Sequence, residues 1–268
     1  MSKERVDILC VEQGLFESRE KAKRAIMAGI IHDDHQILDK PGIKIERQTK
    51  LSIKGEQFRY VSRGGLKLEK AIHYFNIYLK NRIMLDIGSS TGGFTDCALQ
   101  NGISLVYALD VGTNQLAWKL RNHPQVIVME KTNFRYSRLE DFKNGKPSFA
   151  SIDVSFISLR HIFHPLKDII SLDGEVIALI KPQFEAGREY VGKKGIVRDK
   201  NIHIEVIKKV LKFAAEDSFY CHGLTFSPIT GGEGNIEFLA YFKLKENKNI
   251  NIDIKEVVEQ AHFNFERK

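Results

Sequence analysis

The sequence has few cysteines and no long apolar run, and these absences exclude several classes of protein. Only three of its 268 residues are cysteine, Cys10, Cys97 and Cys221, and none belongs to a C-x-x-C pair. An odd number of widely separated cysteines argues against a disulfide framework and against a zinc site. No apolar run reaches the roughly 18 to 20 residues of a spanning helix, and the first ten residues lack a signal-peptide core. We therefore expect a cytoplasmic protein with no metal site and no membrane partner.

The composition is that of a globular protein with a basic balance. Hydrophobic residues make up 43% of the chain and charged residues 28%, which is ample for a core and unlike a disordered chain. Because domains usually run about 100 to 200 residues, a chain of this length holds about two. The 41 Lys and Arg against 34 Asp and Glu give a net charge of +7. That charge favours an acidic partner, either nucleic acid or an anionic membrane surface.

The stretch from Arg82 to Asp96, RIMLDIGSSTGGFTD, joins an apolar run to a loop rich in Gly, Ser and Thr. It reads as a buried strand that turns sharply into a helix and lets the backbone approach a ligand. Its spacing, G-x-x-x-G-G, departs from G-x-G-x-x-G and from the phosphate loop, so neither a dinucleotide nor a nucleoside triphosphate is indicated. Asp86 and Asp110, at the ends of two strands, suit hydroxyls or an ammonium group better than a pyrophosphate. The alternative is a glycine-rich turn in another doubly wound α/β protein.

From Arg82 onward, strand-like and helix-like segments alternate, including a predicted helix over 114–122. Such alternation predicts an α/β domain with a mostly parallel sheet and helices on both faces. Two final strands without a helix between them predict a terminal hairpin, which makes seven strands. Ligands bind outside the carboxyl ends of such strands. That rule selects Asp86, Asp110, Asn133, Asp153 and Lys181.

The first 58 residues read as a separate small domain of two helices followed by short strands. Ser18 is a suitable N-cap for the second helix, which carries four cations against Glu20. Such cations are either a solvated helix face or a stripe that can lie along a phosphate backbone. The polar segment 59–65, which ends in two glycines, reads as a linker to a second domain over 66–268.

The glycine-rich stretch resembles motif I of the S-adenosylmethionine-dependent methyltransferases, and for such an enzyme two missing motifs narrow the chemistry of the methyl acceptor. After the fourth predicted strand the sequence is Asp153-Val154-Ser155-Phe156 and not Asp/Asn-Pro-Pro-aromatic, the pattern typical of transfer to an exocyclic base nitrogen. No Pro-Cys is present to supply the nucleophile that carbon methylation of pyrimidines requires. A hydroxyl acceptor needs a base or a cationic environment, and lysine can provide either. Four residues meet that need: Lys67, Asp153, Lys181 and Glu237.

These motifs resemble those of a known family. The glycine-rich stretch and LVYALDVG resemble motifs I and II of S-adenosylmethionine-dependent methyltransferases, and the four residues resemble the Lys-Asp-Lys-Glu tetrad of FtsJ-type ribose 2′-O-methyltransferases. The pattern from Arg5 to Gly42 resembles the alpha-L RNA-binding domain. Together with VSRGGLKL, DVSFISL, KPQFEAGRE and KKGIVRD, the resemblance narrows to the TlyA, or haemolysin A, family. It implies a seven-stranded Rossmann-like methyltransferase sheet with a small N-terminal α+β RNA-binding domain.

The resemblance also implies a reaction and its residues. The reaction is 2′-O-methylation of cytidines in ribosomal RNA or ribosomal subunits, with S-adenosylmethionine as cofactor. Lys181 would activate the ribose hydroxyl. Asp153 and Lys67 would position and tune that lysine, and Glu237 would complete the network near the ribose. Cofactor contacts would come from Asp86, Gly88, Ser89, Gly92, Gly93, Phe94, Asp110, Val111, Asn133 and Asp153.

RNA contacts are expected from both parts of the chain. The cations are Arg19, Lys21, Lys23 and Arg24 on the second helix, and Arg188, Lys193 and Lys194 in the loop 185–199. That loop is either a lid that closes over RNA or a long surface connection. Two rival functions stay open, namely a non-catalytic RNA-binding or ribosome-assembly protein that keeps the cofactor fold, and a membrane-lytic haemolysin.

Overall fold

The computed structural model describes residues 3–33, 37–53, 59–246, 250 and 252–266, and the chain divides into two compact units. These units are Met1–Arg59 and Tyr60–Lys268. The predicted end of the first domain, residue 58, lies outside the described residues. Tyr60 is only 3% exposed and packs in the core of the second unit. From Tyr60 onward, the segment that the sequence suggested as a linker therefore belongs to the second unit.

The first unit is a pair of helices with short strands. Its elements are β1 (Lys3–Arg5), α1 (Val6–Glu12), α2 (Arg19–Met27), β2 (Ile31–His32), β3 (Ile37–Leu38), β4 (Lys44–Glu46) and β5 (Ser52–Ile53). Strand β1 pairs with β4, and β2 lies between β3 and β5. The Ser18 hydroxyl accepts a hydrogen bond from the Lys21 amide, which confirms the predicted N-cap of α2. A small apolar core that includes Val6, Leu9 and Ile26 holds the unit together.

The second unit alternates strands and helices. Its elements are α3 (Gly64–Phe75), β6 (Ile83–Ile87), α4 (Gly93–Gln100), β7 (Leu105–Leu109), α5 (Trp118–Arg121), β8 (Val126–Met129), β9 (Phe149–Ile152), α6 (Arg160–Ile169), β10 (Glu175–Ile180), α7 (Pro182–Glu185), α8 (Lys200–Glu216), β11 (Phe219–Phe226), β12 (Phe238–Leu244) and α9 (Ile254–Glu266). Short 3-10 turns lie between some of these elements.

Seven strands form one mixed sheet in the order β11-β12-β10-β9-β6-β7-β8. The five strands from β8 to β10 in that order are parallel, and β12 runs antiparallel between β10 and β11. This arrangement confirms the predicted α/β class and the terminal hairpin. Because β12 is reversed, its first residues lie at the same edge as the last residues of β10. Residues far apart in sequence are thereby brought to one edge of the sheet.

The sheet is covered on both faces, as the alternation of its side chains requires. Along β10, Val176, Ala178 and Ile180 belong to one apolar cluster, whereas Ile177 and Leu179 belong to another. The first cluster contains residues of α6, α8 and α9, and the second contains residues of α3 and α4. A strand buried on both faces reads as a continuous apolar run, which is how β10 appears in the sequence.

Two helices differ from the prediction. The helix predicted over 114–122 is present only as Trp118–Arg121, because the Ala117 amide donates to the Thr91 carbonyl of the glycine-rich loop and Asn114 has φ +55°, outside the right-handed helical region. The C-terminal helix α9 was not predicted, although it buries Val258 and Ala261 in the larger core. Across the residues that the structure describes, no helix is both long and apolar enough to cross a membrane.

Lys70, on α3, is a half-buried cation beside the sheet, and among the described residues no carboxylate pairs with it. Its Nζ lies 3.7 Å from the centre of the Phe226 ring, and burial lowers its pKa from 10.5 to about 8. A lysine whose folded-state pKa lies below its unfolded value destabilises the fold while it is charged. The penalty is full below pH 8 and fades between about 8 and 10.5.

Lys70→Met should therefore raise the thermal midpoint at pH 7. Allowing for solvent screening of a half-exposed group, we expect roughly 2–4 °C, equivalent to about 1 kcal/mol. Thermal unfolding followed by circular dichroism at pH 7 and at pH 9.5 provides the measurement. The gain should shrink at the higher pH. A gain that is the same at both values would arise from the apolar contact with Phe226 and would contradict the electrostatic explanation.

Candidate active site

The glycine-rich loop lies at the end of β6 and takes a shape that other residues cannot adopt easily. Gly88 has φ +85° and Gly92 has φ +94°, both in the left-handed region that favours glycine. A Cβ atom at Gly88 would lie 2.5 Å from the backbone oxygen of Asp153. The loop therefore packs directly against the chain that leaves β9. The amides of Gly88 and Ser89 donate to the Leu109 carbonyl, which joins the loop to the end of β7.

Asp86 supports this loop from below. Its side chain is fully buried, and its two oxygens accept hydrogen bonds from the hydroxyls of Thr95 and Ser151, each at 2.7 Å. Burial raises the pKa of the carboxyl to about 6, and the two hydroxyls act in the opposite direction. Asp86 thus ties β6 to α4 and β9. The structure places it beneath the surface that a ligand would touch.

Asp110, immediately after β7, forms a second wall of the site, next to the glycine-rich loop. Its carboxylate accepts hydrogen bonds from the amides of Ser90 at 2.8 Å and Gly112 at 2.7 Å. The neighbouring Val111 has a side chain that is 68% exposed. The Thr132 amide donates to the Asp110 carbonyl, which places Asn133 next to this wall. Ser89, in the turn between β6 and α4, and Phe94, in the first turn of α4, are buried.

The four residues predicted as a tetrad meet at the neighbouring strand ends. Lys181 Nζ lies 2.5 Å from Asp153 Oδ1, and Lys67 Nζ lies 3.6 Å from Asp153 Oδ2. Lys67 also donates to Glu237 Oε2 at 2.6 Å. Lys67, Lys181 and Glu237 are buried, and Asp153 is partly exposed. The structure thus brings together all four residues, which come from α3 and from the ends of β9, β10 and β12.

The two lysines have different surroundings. Burial lowers the pKa of Lys67, but the carboxylates of Asp153 and Glu237 outweigh it, so the net effect is a raised pKa and a retained proton. Lys181 contacts one carboxylate and the hydroxyl of Ser155, at 3.2 Å from its Nζ. Lys181 therefore contacts one carboxylate, whereas Lys67 contacts two.

Phe156 follows Ser155, whose hydroxyl contacts Lys181, and it had no predicted role. It is 91% exposed and has φ +64°, a conformation that costs a bulky residue about 1–3 kcal/mol. Its ring centre lies 4.9 Å from that of Phe184, and Lys181 Nζ lies 5.9 Å from the Phe184 ring. The available signal in the sequence was an aromatic residue three positions after the strand-end Asp153.

The loop 185–199 is tied to the segment that precedes Glu237. The Asn235 side chain accepts from the Val197 amide at 3.1 Å and donates to the Gly195 carbonyl at 2.9 Å. His203 Nε2 lies 3.0 Å from the Val197 carbonyl, and burial lowers the pKa of this histidine to about 4. The loop forms an open pocket of about 350 Å³ lined by Tyr190, Gly192, Lys193, Lys194, Ile196 and Arg198.

The cations predicted on α2 are mostly paired with acids of their own unit. Arg19 and Arg5 both contact the buried carboxylate of Asp7, and these contacts, the hydrogen bond of Arg5 first, lower the pKa of Asp7 to about 2. Lys21 pairs with Glu17, and Lys23 pairs with Glu20 at 2.7 Å. Arg24 contacts the Glu20 carbonyl at 3.5 Å.

Exposed pairs of this kind contribute roughly 0–1 kcal/mol and exchange partners easily, whereas Arg19 is held by a buried anion.

Within the described part of the chain, no group of three or more His, Cys, Asp or Glu side chains is placed to hold a metal ion.

Comparison with known proteins agrees with this geometry. A family model described as FtsJ-like methyltransferase matches residues 60–244, and one described as S4 domain matches residues 4–50. The chain is 57% identical to "Putative rRNA methyltransferase YqxC" of Bacillus subtilis (strain 168), over 99% of this chain and 96% of that protein. It is 37% identical to "16S/23S rRNA (cytidine-2'-O)-methyltransferase TlyA" of Mycobacterium tuberculosis (strain CDC 1551 / Oshkosh), over 92% of each.

A solved structure described as "Putative hemolysin from Streptococcus thermophilus" is also similar. It has a TM-score of 0.80 and 56% sequence identity, and the match covers 100% of this chain and 98% of that one. The seven-stranded mixed sheet with helices on both faces agrees with the match to a methyltransferase family. The chain therefore belongs to the FtsJ-like methyltransferases, in the TlyA group, and carries an S4 domain in its first unit.

Proposed function

We propose that this protein transfers a methyl group from S-adenosylmethionine to ribose 2′-hydroxyls of cytidines in ribosomal RNA. The observation that carries the proposal is the position of Asp153. Its carboxylate pairs with Lys67 and Lys181, while its backbone oxygen packs against Gly88 of the glycine-rich loop. One residue therefore joins a cofactor cradle to an acceptor site. The name of the Mycobacterium tuberculosis relative supports both the cytidine and the ribosomal RNA.

The residues at the open edge fit S-adenosylmethionine. Gly88 and Gly92 form a cradle in which a Cβ would meet neighbouring atoms, as close approach to a ligand requires. Asp110 offers a carboxylate for ribose hydroxyls, and the exposed Val111 offers an apolar surface for a base. In this proposal the contacts come from Gly88, Ser89, Gly92, Gly93, Asp110, Val111, Asn133 and Asp153. Asp86 and Phe94, which are buried, support the loop.

When bound, the cofactor supplies an electrophilic methyl group on a sulfonium. The protein supplies orientation and the handling of the proton. Lys181, as the neutral amine, accepts the proton of the 2′-hydroxyl, and Asp153 orients its Nζ. Lys67 keeps its proton between two carboxylates and so fixes Asp153 and Glu237 in place. Once Lys181 has accepted that proton, both lysines and both carboxylates are charged. Their charges then cancel, which limits the free-energy cost of burying them.

Phe156 gives the acceptor a surface on which to stack. Its exposed ring packs against Phe184, whose ring lies 5.9 Å from Lys181 Nζ. Bases stack on aromatic side chains in single-stranded RNA, with a contribution of about 1–3 kcal/mol for each base. A cytidine whose base lies on Phe156 would bring its ribose to the tetrad.

Two groups of cations would hold the surrounding RNA. In the loop 185–199, Arg188, Lys193, Lys194 and Arg198 have no carboxylate partner among the described residues, and Tyr190 lies beside them. Such a pocket suits a phosphodiester with an adjacent base. In the first unit, Lys21, Lys23 and Arg24 carry only exposed contacts and can turn to phosphates, whereas Arg19 shapes the domain through Asp7. We therefore assign residues 1–58 to RNA binding and 66–268 to methyl transfer.

Methyl transfer into ribosomal RNA tests the proposal directly. Purified protein is incubated with tritium-labelled S-adenosylmethionine and with ribosomal RNA or separated subunits, and the modified ribose is then mapped by its resistance to alkaline cleavage. We expect label at the 2′-oxygen of cytidine. Tight RNA binding without any label would favour a non-catalytic assembly protein, and label on a base atom would overturn the assignment of the tetrad.

A further inference from the structure

Two strand-end segments meet at the proposed acceptor site. The first, residues 153–159 after β9, carries Asp153, Ser155 and Phe156. The second is α7, a single turn that Lys181 precedes and Glu185 ends. The side chain of Lys181 and two side chains of α7 touch the first segment. Lys181 contacts Asp153 and Ser155, and Phe184 packs on Phe156.

The third contact is made by Glu185, which the proposed reaction does not use. Its side chain is buried, with the residue only 4% exposed. Its Oε2 accepts from the Ser158 hydroxyl at 2.8 Å and its Oε1 from the Leu159 amide at 2.7 Å. Leu159 is the residue before α6 and has no polar side chain to cap that helix. Glu185 therefore supplies, from another part of the chain, an anion that the helix N-terminus favours.

The position of these bonds has a consequence for Phe156. A non-glycine residue with φ near +64° stays in that conformation only when its surroundings hold it there. Behind Phe156 in the chain, Asp153 is fixed by the two lysines of the tetrad. Ahead of it, Ser158 and Leu159 are fixed by Glu185. The turn that carries Glu185 is itself anchored, because Lys209 Nζ donates to the Glu185 carbonyl at 2.8 Å.

We propose that Glu185 is a positioning residue for the acceptor nucleotide, which it serves by holding residues 153–159 so that the Phe156 ring stays packed against Phe184, beside Lys181. This inference rests on the proposed function. It assigns to Glu185 no contact with the substrate and no proton transfer. Its effect on methyl transfer passes through Phe156, and that route separates it from a helix cap that only stabilises the fold.

A double-mutant cycle of Glu185→Gln and Phe156→Ala tests this route. Glutamine keeps the size of the side chain, but its amide nitrogen is a donor and cannot accept from both Ser158 and Leu159. We expect Glu185→Gln to lower kcat/KM for ribosomal RNA by about 10- to 100-fold, mainly through KM, with S-adenosylmethionine affinity within about twofold of wild type. In the Phe156→Ala background, the same substitution should cost less than about threefold.

Several results would overturn the inference. One is an effect of Glu185→Gln that multiplies with that of Phe156→Ala, because a cap that acts on the fold alone is independent of Phe156. Another is an unchanged kcat/KM in the folded variant. If Glu185→Gln does not fold, Ser158→Ala removes one of the two bonds and should show the same coupling on a smaller scale, and its absence would also overturn the inference.

A matched control and a separate readout complete the design. Glu216→Gln removes a carboxylate that also contacts the start of α6, through Arg160 at 2.8 Å, but lies outside the site. It should leave kcat/KM within about twofold of wild type. If the wild-type protein itself fails to methylate ribosomal RNA, the proposed function fails. If wild type is active and only the coupling is absent, the inference about Glu185 alone fails.

Discussion

Lys181→Ala should abolish methyl transfer to ribosomal RNA while both ligands still bind. Removing a general base typically costs about 100- to 10,000-fold in rate, and we expect kcat to fall within that range. Asp153 keeps Lys67 at 3.6 Å after the change, so its carboxylate is not left without a cation. Of the residues proposed to hold the cofactor, Asp153 contacts Lys181, whereas the others lie at or after the ends of β6, β7 and β8. Single-turnover methyl transfer and isothermal titration with S-adenosylmethionine give the two measurements.

Lys181→Arg separates the two roles that lysine can play. The guanidinium keeps the positive charge but does not give up its proton near neutral pH. If Lys181 accepts the hydroxyl proton, the arginine variant should be as inactive as the alanine variant. If a positive charge alone suffices to stabilise the developing oxyanion, arginine should restore much of the rate, and the assignment of Lys181 as base would then be wrong.

Lys208→Ala is the matched control for this pair of variants. Lys208 is an exposed lysine of the same unit that pairs with Glu205 on the surface of α8. Its removal should leave both transfer and binding within about twofold of wild type, since exposed ion pairs contribute little. Turnover by Lys181→Ala within tenfold of wild type would contradict the proposed mechanism, because no other lysine of the tetrad can take over. Lys67 is held between two carboxylates.

The position of the tetrad could be predicted from the sequence, because the alternation of strands and helices fixes which residues lie at the carboxyl ends of the strands. Once strands and helices alternate, Asp153 and Lys181 must lie at one edge of the sheet. Lys67 and Glu237, which are 170 residues apart, meet there because α3 runs beside the reversed strand β12. Their pairing was implied by the resemblance and could not be derived from spacing, since only the folded chain brings α3 to β12.

The roles of several predicted residues depended on contacts that no local pattern contains. Asp86 reads as a ligand residue at a strand end, but hydroxyls of Thr95 and Ser151 cover both of its oxygens. Arg19 reads as part of a cationic stripe, but the buried Asp7 holds it. The conformation of Phe156 has φ +64°, and the residue type does not predict this angle. In each case the decisive partner lies in another element, where helical or strand periodicity gives no information.

The second large effect is expected at Gly88, where backbone shape and the two halves of the site meet. Gly88→Ala places a Cβ 2.5 Å from the Asp153 backbone oxygen, in a residue with φ +85°. The neighbour is backbone and cannot swing aside as a flexible side chain would. We expect a loss of about 1–3 kcal/mol in unfolding free energy from the backbone angle, with a further loss from the clash. Because the displaced residue also carries a tetrad carboxylate, both cofactor affinity and methyl transfer should be lost.

Gly102→Ala provides the comparison that isolates the clash from the backbone strain. Gly102 has a similar φ of +80°, lies in the same unit between α4 and β7, and would place its Cβ no closer than 3.5 Å to its neighbours. It lies at the opposite edge of the sheet, because it precedes β7 and does not follow a strand. Both variants should lose stability in urea titrations, but only Gly88→Ala should lose S-adenosylmethionine binding in isothermal titration. Equal cofactor affinity in the two variants would show that the loop does not form the cofactor cradle, since Gly88 lies in that loop and Gly102 lies at the opposite edge of the sheet.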